Sequence, residues 1–179
     1  MGKNKVLNRH FLCLILVLNT TLLYSQLAPV QKVVQTYSSE IGVREATGRN
    51  DGIRVVEYLK AANRNKGDAW CAAFVTWTFK QSGVKAVVSG WSPSWFTRNV
   101  IYTRGKAGNK LPQQADVFGL YFSKLGRIGH VGFIDNWPDG ESKCITVEGN
   151  TNEAGSREGD GVYRKRRLKS QIYKVSRWL

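Results

Sequence analysis

Residues 26–179 contain two cysteines, Cys71 and Cys144, and one histidine, His130, so chemistry that needs an imidazole has one residue to use. Cys71 lies in GDAWCAAFVTWTFKQSG (67–83), where Asp68 reads as an N-cap and Gly83 as a C-terminal stop. That places the thiol in the first turn of a helix, where unpaired N–H groups and the positive end of the dipole stabilise a thiolate. By residue type alone, a small core cysteine among Ala72, Ala73 and Phe74 is the alternative. His130 opens a strand in IGHVGFIDNW, and Gly129 and Gly132 beside it let the ring approach another element without crowding. Glu148 and Asn150 follow on the next expected strand, two residues apart and therefore on one face. If these strands pair antiparallel across PDGES, a carboxylate and an amide can both reach one imidazole. Such partners orient the ring and favour an imidazolium opposite a cysteine thiolate.

Competing uses of the same residues are weaker. A zinc site would need both cysteines, the histidine and a carboxylate, without the short ligand spacings such sites show, so no metal is expected. In an oxidising compartment Cys71 and Cys144 could bridge. Cys144 shares strand parity with Thr146 and Glu148, however, and reads as a buried strand residue.

The surrounding pattern changes from helical to extended along the chain. Pro29 followed by Val30, Val33, Val34 and Tyr37 marks one amphipathic helix, and Asp51 before Ile53, Val56 and Leu59 marks a second. The helix of Cys71 is the third. A Trp-, Ser- and Gly-rich connection with a short helix near 93–99 leads to strands expected at 116–123, 129–137, 143–149, 161–168 and 173–178. Helices followed by a meander of strands give an α+β class with an antiparallel sheet.

Residues 1–25 read as a signal peptide: Lys3, Lys5 and Arg9 precede the apolar run FLCLILVL (11–18), with Tyr24-Ser25-Gln26 at the expected cut. The run is short for a bilayer span, which takes roughly 20 residues, so stable membrane insertion is not expected. An uncleaved N-terminal anchor is the alternative. Residues 26–179 then form one domain. The full chain of 179 residues carries a net charge of +14, and without the leader 24 basic residues face 13 acidic ones, a net +11. Long-range attraction would raise its encounter rate with wall polymers, lipid headgroups and polysaccharides alike. Arg164-Lys165-Arg166-Arg167 falls on an expected strand, so its charges alternate between faces; it reads as a solvated sheet edge or a site for anionic wall polymer.

GDAWCAAFVTWTFKQSG, Ala115-Asp116, GHVGFIDNW, ITVEGNTN and GDGVYRKRR, in that order, resemble the CHAP amidase/peptidase domains of peptidoglycan hydrolases, within the papain-like and NlpC/P60-like group. EIGVREATGRNDG (40–52) resembles the lead-in of a subgroup. The resemblance implies Cys71 as nucleophile, His130 as general base and later acid, and Glu148 with Asn150 as polar partners of the imidazole. It also implies a papain-like fold, with the nucleophile at a helix N-terminus packed on the sheet. Where the family usually has Gly-Asp, this chain has Ala115-Asp116, and because Ala takes φ > 0 less cheaply than Gly, a different local turn is expected there. Relatives that bind calcium use an Asp-rich loop before the cysteine; only Asp51 and Asp68 occur here, so neither metal nor cofactor is expected. Glu45 and Asn50 either line the cleft or shape the turn before the second helix. Asn63 and Asn65, just upstream of the third helix, are candidates for a second oxyanion donor, with surface loop as the preferred reading for both. Trp91 and Trp95 could wall the cleft.

The expected function is that of an exported cysteine amidase or endopeptidase acting on peptidoglycan, monomeric, secreted or periplasmic, with anionic wall polymers as further partners and no nucleic acid. The alternative from another class is a non-catalytic basic module that holds wall polymer or nucleic acid, whose affinity would fall steeply with salt. A toxin active against competitors' walls would share the chemistry.

Overall fold

A computed structural model describes residues 28–154 and 158–179, and the leader expected at residues 1–25 lies outside them. Among the described residues three helices come first: α1 (Pro29–Ser39), α2 (Ile53–Ala61) and α3 (Cys71–Gln81). A 3₁₀ turn (Ser92–Phe96) then leads to six strands: β1 (Val100–Thr103), β2 (Val117–Phe122), β3 (Arg127–Asn136), β4 (Lys143–Thr151), β5 (Gly161–Leu168) and β6 (Ile172–Ser176). They form one antiparallel sheet in the order β1-β6-β2-β3-β4-β5. The class is the α+β one expected, but a plain meander is not what forms. β6 enters between β2 and the short β1, a strand whose four residues carry no clear alternation. No helix among the described residues is long and apolar enough to cross a membrane.

The helices start where local chemistry permits. Pro29 occupies the first turn of α1, where its missing N–H costs nothing, and Val33 and Tyr37 are fully buried one turn apart. In α2 the expected stripe holds at Leu59, which is buried with Val55 and Tyr58, whereas Val56 is half-buried and Ile53 is 87% exposed in the overhanging first turn. Asp51 does not cap that helix. Its carboxylate accepts from the Thr47 N–H and hydroxyl and closes the preceding loop, leaving Gly52 as the N-cap residue. Asp68 likewise bonds Asn65 N–H and Arg64 rather than α3, whose N-cap residue is Trp70 with no side-chain cap.

Helix α3 is the centre of the main core: every residue from Cys71 to Phe79 is buried. It packs on α1 and α2 on one side and on β3 and β4 on the other, with Phe74 and Phe79 set edge-on to the Phe133 ring. The close approach to β4 depends on Gly149, where a Cβ would lie 2.7 Å from the Trp70 ring and 2.8 Å from Phe74 Cβ. A second apolar cluster contains Phe118, Leu120, Ile134, Cys144, Ile172 and Val175, all of them strand residues. Both Cys71 and Cys144 are free thiols.

Candidate active site

Two local irregularities bring His130 to the end of α3. Pairing of β2 with β3 shifts register between Leu120↔His130 and Tyr121↔Ile128, so Gly129 is the extra residue of a β-bulge, a device that re-aims neighbouring side chains. Pairing of β3 with β4 stops at Phe133↔Val147, which leaves His130 on one strand and Glu148 on the other just past the last shared rung. Gly132 lies between them: a Cβ there would meet the Val147 carbonyl oxygen at 2.7 Å and Glu148 Cγ at 3.0 Å. The glycine beside the histidine therefore makes room for the carboxylate.

The result is a fully buried relay. His130 Nε2 lies 2.8 Å from Glu148 Oε2, and both residues have 0% exposure. Glu148 Oε1 accepts from the Thr146 hydroxyl, and Arg167 donates Nε to Oε1 and Nη2 to Oε2 at 2.5 and 2.6 Å. Burial alone would raise the Glu148 carboxyl, but Arg167 and His130 outweigh it and hold it down at about 2. On the other side of the ring, Nδ1 makes no hydrogen bond among the described residues, yet Cys71 raises the His130 imidazole and His130 lowers the Cys71 thiol. The two are near enough for each to favour the charged form of the other. Catalytic hydrogen bonds of such pairs are often long or poorly aligned before substrate binds. Burial opposes charge on both groups. It is outweighed for His130 by Cys71 and Glu148, which raise the imidazole to about 9, and for Cys71 by His130 and Ser92, which lower the thiol. A thiolate opposite an imidazolium is the state this arrangement favours.

Residues 63–150 match the family model for the CHAP domain. This chain carries a CHAP domain. CHAP is the peptidoglycan amidase/peptidase family, which makes the chain's enzyme class that of a peptidoglycan hydrolase. No curated protein and no solved structure matches the chain significantly. The matched stretch of the CHAP domain takes in Cys71, His130, Glu148 and Asn150 and stops short of β5, the strand that carries Arg167.

Of the two residues expected on the imidazole, Glu148 has a hydrogen bond to it and Asn150 does not. Asn150 adopts φ 55°, which breaks strand alternation and turns its amide toward α3. With the amide oriented to satisfy both neighbours, its oxygen accepts from the Trp70 N–H and its nitrogen donates to the Gly159 carbonyl, each at 2.9 Å. Asn150 therefore ties the residue before the nucleophile to the chain entering β5. Glu45 meets the same tryptophan, accepting from Trp70 Nε1 at 2.8 Å and from the Asn50 N–H at 2.9 Å. Glu45 and Asn50 shape the turn before α2, through the Asn50 N–H on Glu45 and the Asn50 amide on the Gly67 carbonyl, and they also line an open cleft of about 620 Å³ with Asn150, Asn152, Asp160 and Tyr163. This cleft opens beside Trp70 and is not bounded by Cys71 or His130.

Other assignments change. Trp95 is fully buried and stacks on Phe79, so it belongs to the core; Trp91 is 51% exposed with the Arg127 guanidinium 3.9 Å from its ring centre. Within the Arg164–Arg167 run, Arg164 pairs with Asp135 and Arg166 lies near Glu141, while Arg167 points inward to Glu148. Asn63 and Asn65 are exposed, in line with a loop. Sequence reasoning missed Arg167 and Ser92, whose Oγ lies 3.6 Å from Cys71 Sγ. For Arg167 the available signal was parity: Lys165 and Arg167 share a strand face that Arg164 and Arg166 do not.

Proposed function

We propose that this protein is an exported cysteine amidase or endopeptidase that cleaves amide bonds of peptidoglycan through a thioester acyl-enzyme. The observation that carries the reading is the buried Cys71–His130–Glu148 relay inside the matched CHAP stretch. Export rests on the basic, apolar and small-residue order of residues 1–25, and peptidoglycan lies where an exported enzyme would meet it.

The thiolate of Cys71 attacks the carbonyl carbon and pushes the carbonyl π electrons onto oxygen. The Cys71 N–H, in an uncapped first turn, faces the developing oxyanion. Collapse of the tetrahedral species breaks the C–N bond, and the His130 imidazolium gives its proton to the departing amine. The neutral ring then takes a proton from water as that water attacks the thioester, and collapse of the second tetrahedral species returns the thiolate and the imidazolium. Glu148 stays ionised throughout, orienting the ring and stabilising its charge. None of these steps calls for a cofactor.

Mass spectrometry of fragments released from purified peptidoglycan tests the reading and identifies the bond cut. New amine and carboxyl ends from the wild type and none from a folded Cys71→Ala variant are expected. Wild-type protein that binds the polymer and releases nothing would leave the basic binding module standing instead.

A further inference from the structure

The sulfur of Cys71 has a second polar neighbour besides the imidazole. Ser92 Oγ lies 3.6 Å from Cys71 Sγ, and this is the one side-chain contact its hydroxyl makes among the described residues. Ser92 is 5% exposed and opens the 3₁₀ turn that follows α3. That turn is tied back onto the nucleophile's own helix. The Thr76 hydroxyl of α3 donates to the Ser89 carbonyl and accepts the Ser89 N–H, at 2.9 and 3.1 Å. The Ser89 hydroxyl in turn holds the Trp91 N–H and the Ser94 hydroxyl, and Trp95 stacks on Phe79 of α3. Phe96 closes the far end of the turn, over Gly119 of β2. The hydroxyl thus sits on a segment anchored to α3 on both sides of it, and its distance from the sulfur is set by rigid packing.

A serine hydroxyl can donate or accept, so the protonation state of its neighbour decides which it does. With the thiol proton on His130, the sulfur has only lone pairs to offer, and a buried hydroxyl with no other side-chain partner must point its hydrogen there. We propose that Ser92 is a positioning residue that donates its hydroxyl hydrogen to the Cys71 thiolate, holding the sulfur in one rotamer and keeping it ionised at neutral pH. The inference rests on the thiolate reading of the proposed mechanism. The direction in which Ser92 moves the Cys71 thiol, downward, agrees with it. From β3 the ionisable group facing the sulfur is His130, with Glu148 of β4 and Arg167 of β5 behind the ring; the 3₁₀ turn itself, Ser-Pro-Ser-Trp-Phe, contributes no ionisable side chain. A hydroxyl is therefore the local means by which this turn acts on the thiol.

The test is the pH dependence of iodoacetamide alkylation at Cys71 in the full chain, followed by peptide mass, which needs no wall substrate. Hydrogen bonds to charged groups are strong enough that Ser92→Ala should move the acid limb of the alkylation profile upward by about one pH unit. Ser92→Thr, which keeps the hydroxyl, should stay close to the wild type. If the alanine variant does not fold, the isosteric pair Ser92→Thr and Ser92→Val gives the same comparison at constant shape. An alanine or valine limb that coincides with the wild type, or a threonine limb displaced as far as theirs, would overturn the proposal. A wild-type limb at the position of an ordinary thiol would overturn it together with the thiolate reading. A low wild-type limb that Ser92→Ala raises, in a protein that releases nothing from peptidoglycan, would uphold Ser92 and strike the hydrolase function alone.

Discussion

Arg167 grips both oxygens of the Glu148 carboxylate from behind, at 2.5 and 2.6 Å, and one of those oxygens also meets the His130 ring. The relay to the nucleophile therefore begins on β5 and crosses β4 and β3 before it reaches α3. Each member is buried, so each holds its charge only because the next one compensates it.

Removing the guanidinium should be costly to the fold. Arg167→Met leaves Glu148 without its strongest partner, and breaking a buried pair from one side costs about 3 kcal/mol or more near neutral pH. Urea unfolding of the variant beside wild type measures it; a difference under about 0.5 kcal/mol would show that the carboxylate does not need Arg167.

Glu148→Gln should keep the hydrogen-bond geometry and remove the charge. With the imidazole held at about 9 in the wild type by Cys71 and Glu148 against burial, loss of the carboxylate lowers that value. The alkaline limb of hydrolysis then moves to lower pH, while the thiol, facing a less firmly charged ring, moves its acid limb upward. The active window narrows from both sides. A pH–rate profile with neither limb displaced would remove Glu148 from the relay.

The same shifts set a pH dependence of stability. His130 is raised in the fold from 6.5 to about 9, so its contribution is complete below 6.5 and is lost as pH rises through 9. Glu148 is lowered from 4.5 to about 2, so its contribution is complete above 4.5 and is lost as pH falls toward 2. The relay should support the wild-type fold most between these limits. Melting temperature followed against pH, in wild type and in His130→Ala, reads the difference: the variant should lose the decline on the alkaline side.

Asn150→Ala should act through the helix end and leave the ring alone. The amide accepts from Trp70 N–H and donates to Gly159, so its loss costs about 1–2 kcal/mol and slows hydrolysis without moving either pH limb. A displaced alkaline limb in this variant would place the amide on the imidazole after all.

The two cysteines should separate cleanly. Burial pushes the Cys144 thiol up to about 11, whereas Cys71 is lowered, so iodoacetamide at neutral pH should label Cys71 in the native protein and Cys144 only after unfolding. Peptide mapping of the alkylated chain checks both.

Ala115 stands at φ 70°, a left-handed conformation that disfavours a Cβ. Ala115→Gly relieves that strain and adds freedom to the unfolded chain, and the net should be a gain of up to about 1 kcal/mol by chemical denaturation. A loss of stability would mean that the methyl packing of this buried residue outweighs the strain.

What could be foreseen about this protein was what is encoded in short periods. The helix start at Cys71 and the shared parity of Cys144, Thr146 and Glu148 are properties of a few consecutive residues, and the strands at 116–123, 129–137 and 143–149 lie within a few residues of their observed limits. Asn150 escaped the same rule because one left-handed residue reverses the alternation on which it depends. Ser92 was invisible for a different reason: its hydroxyl meets the sulfur only because the Ser89–Thr76 and Trp95–Phe79 contacts fold the turn back along α3. Arg167 needed the pairing of β4 with β5 to choose one cation out of four consecutive ones. Ile53 was misplaced because periodicity says nothing about which turn of a helix projects beyond its neighbours.

Strand β6 lies between β1 and β2, although some seventy residues of chain separate it from the first of them. On a ribosome, β1 would have no partner to zip against until residues 172–176 had emerged, and β2 would present a bare margin of N–H and C=O groups. The 3₁₀ turn carrying Ser92 packs on β6 as well, so the wall beside the sulfur is among the later parts to close. A hydrolase assembled in this order would stay blunt while its chain is being made, and acquire its edge only when the last strand slots in.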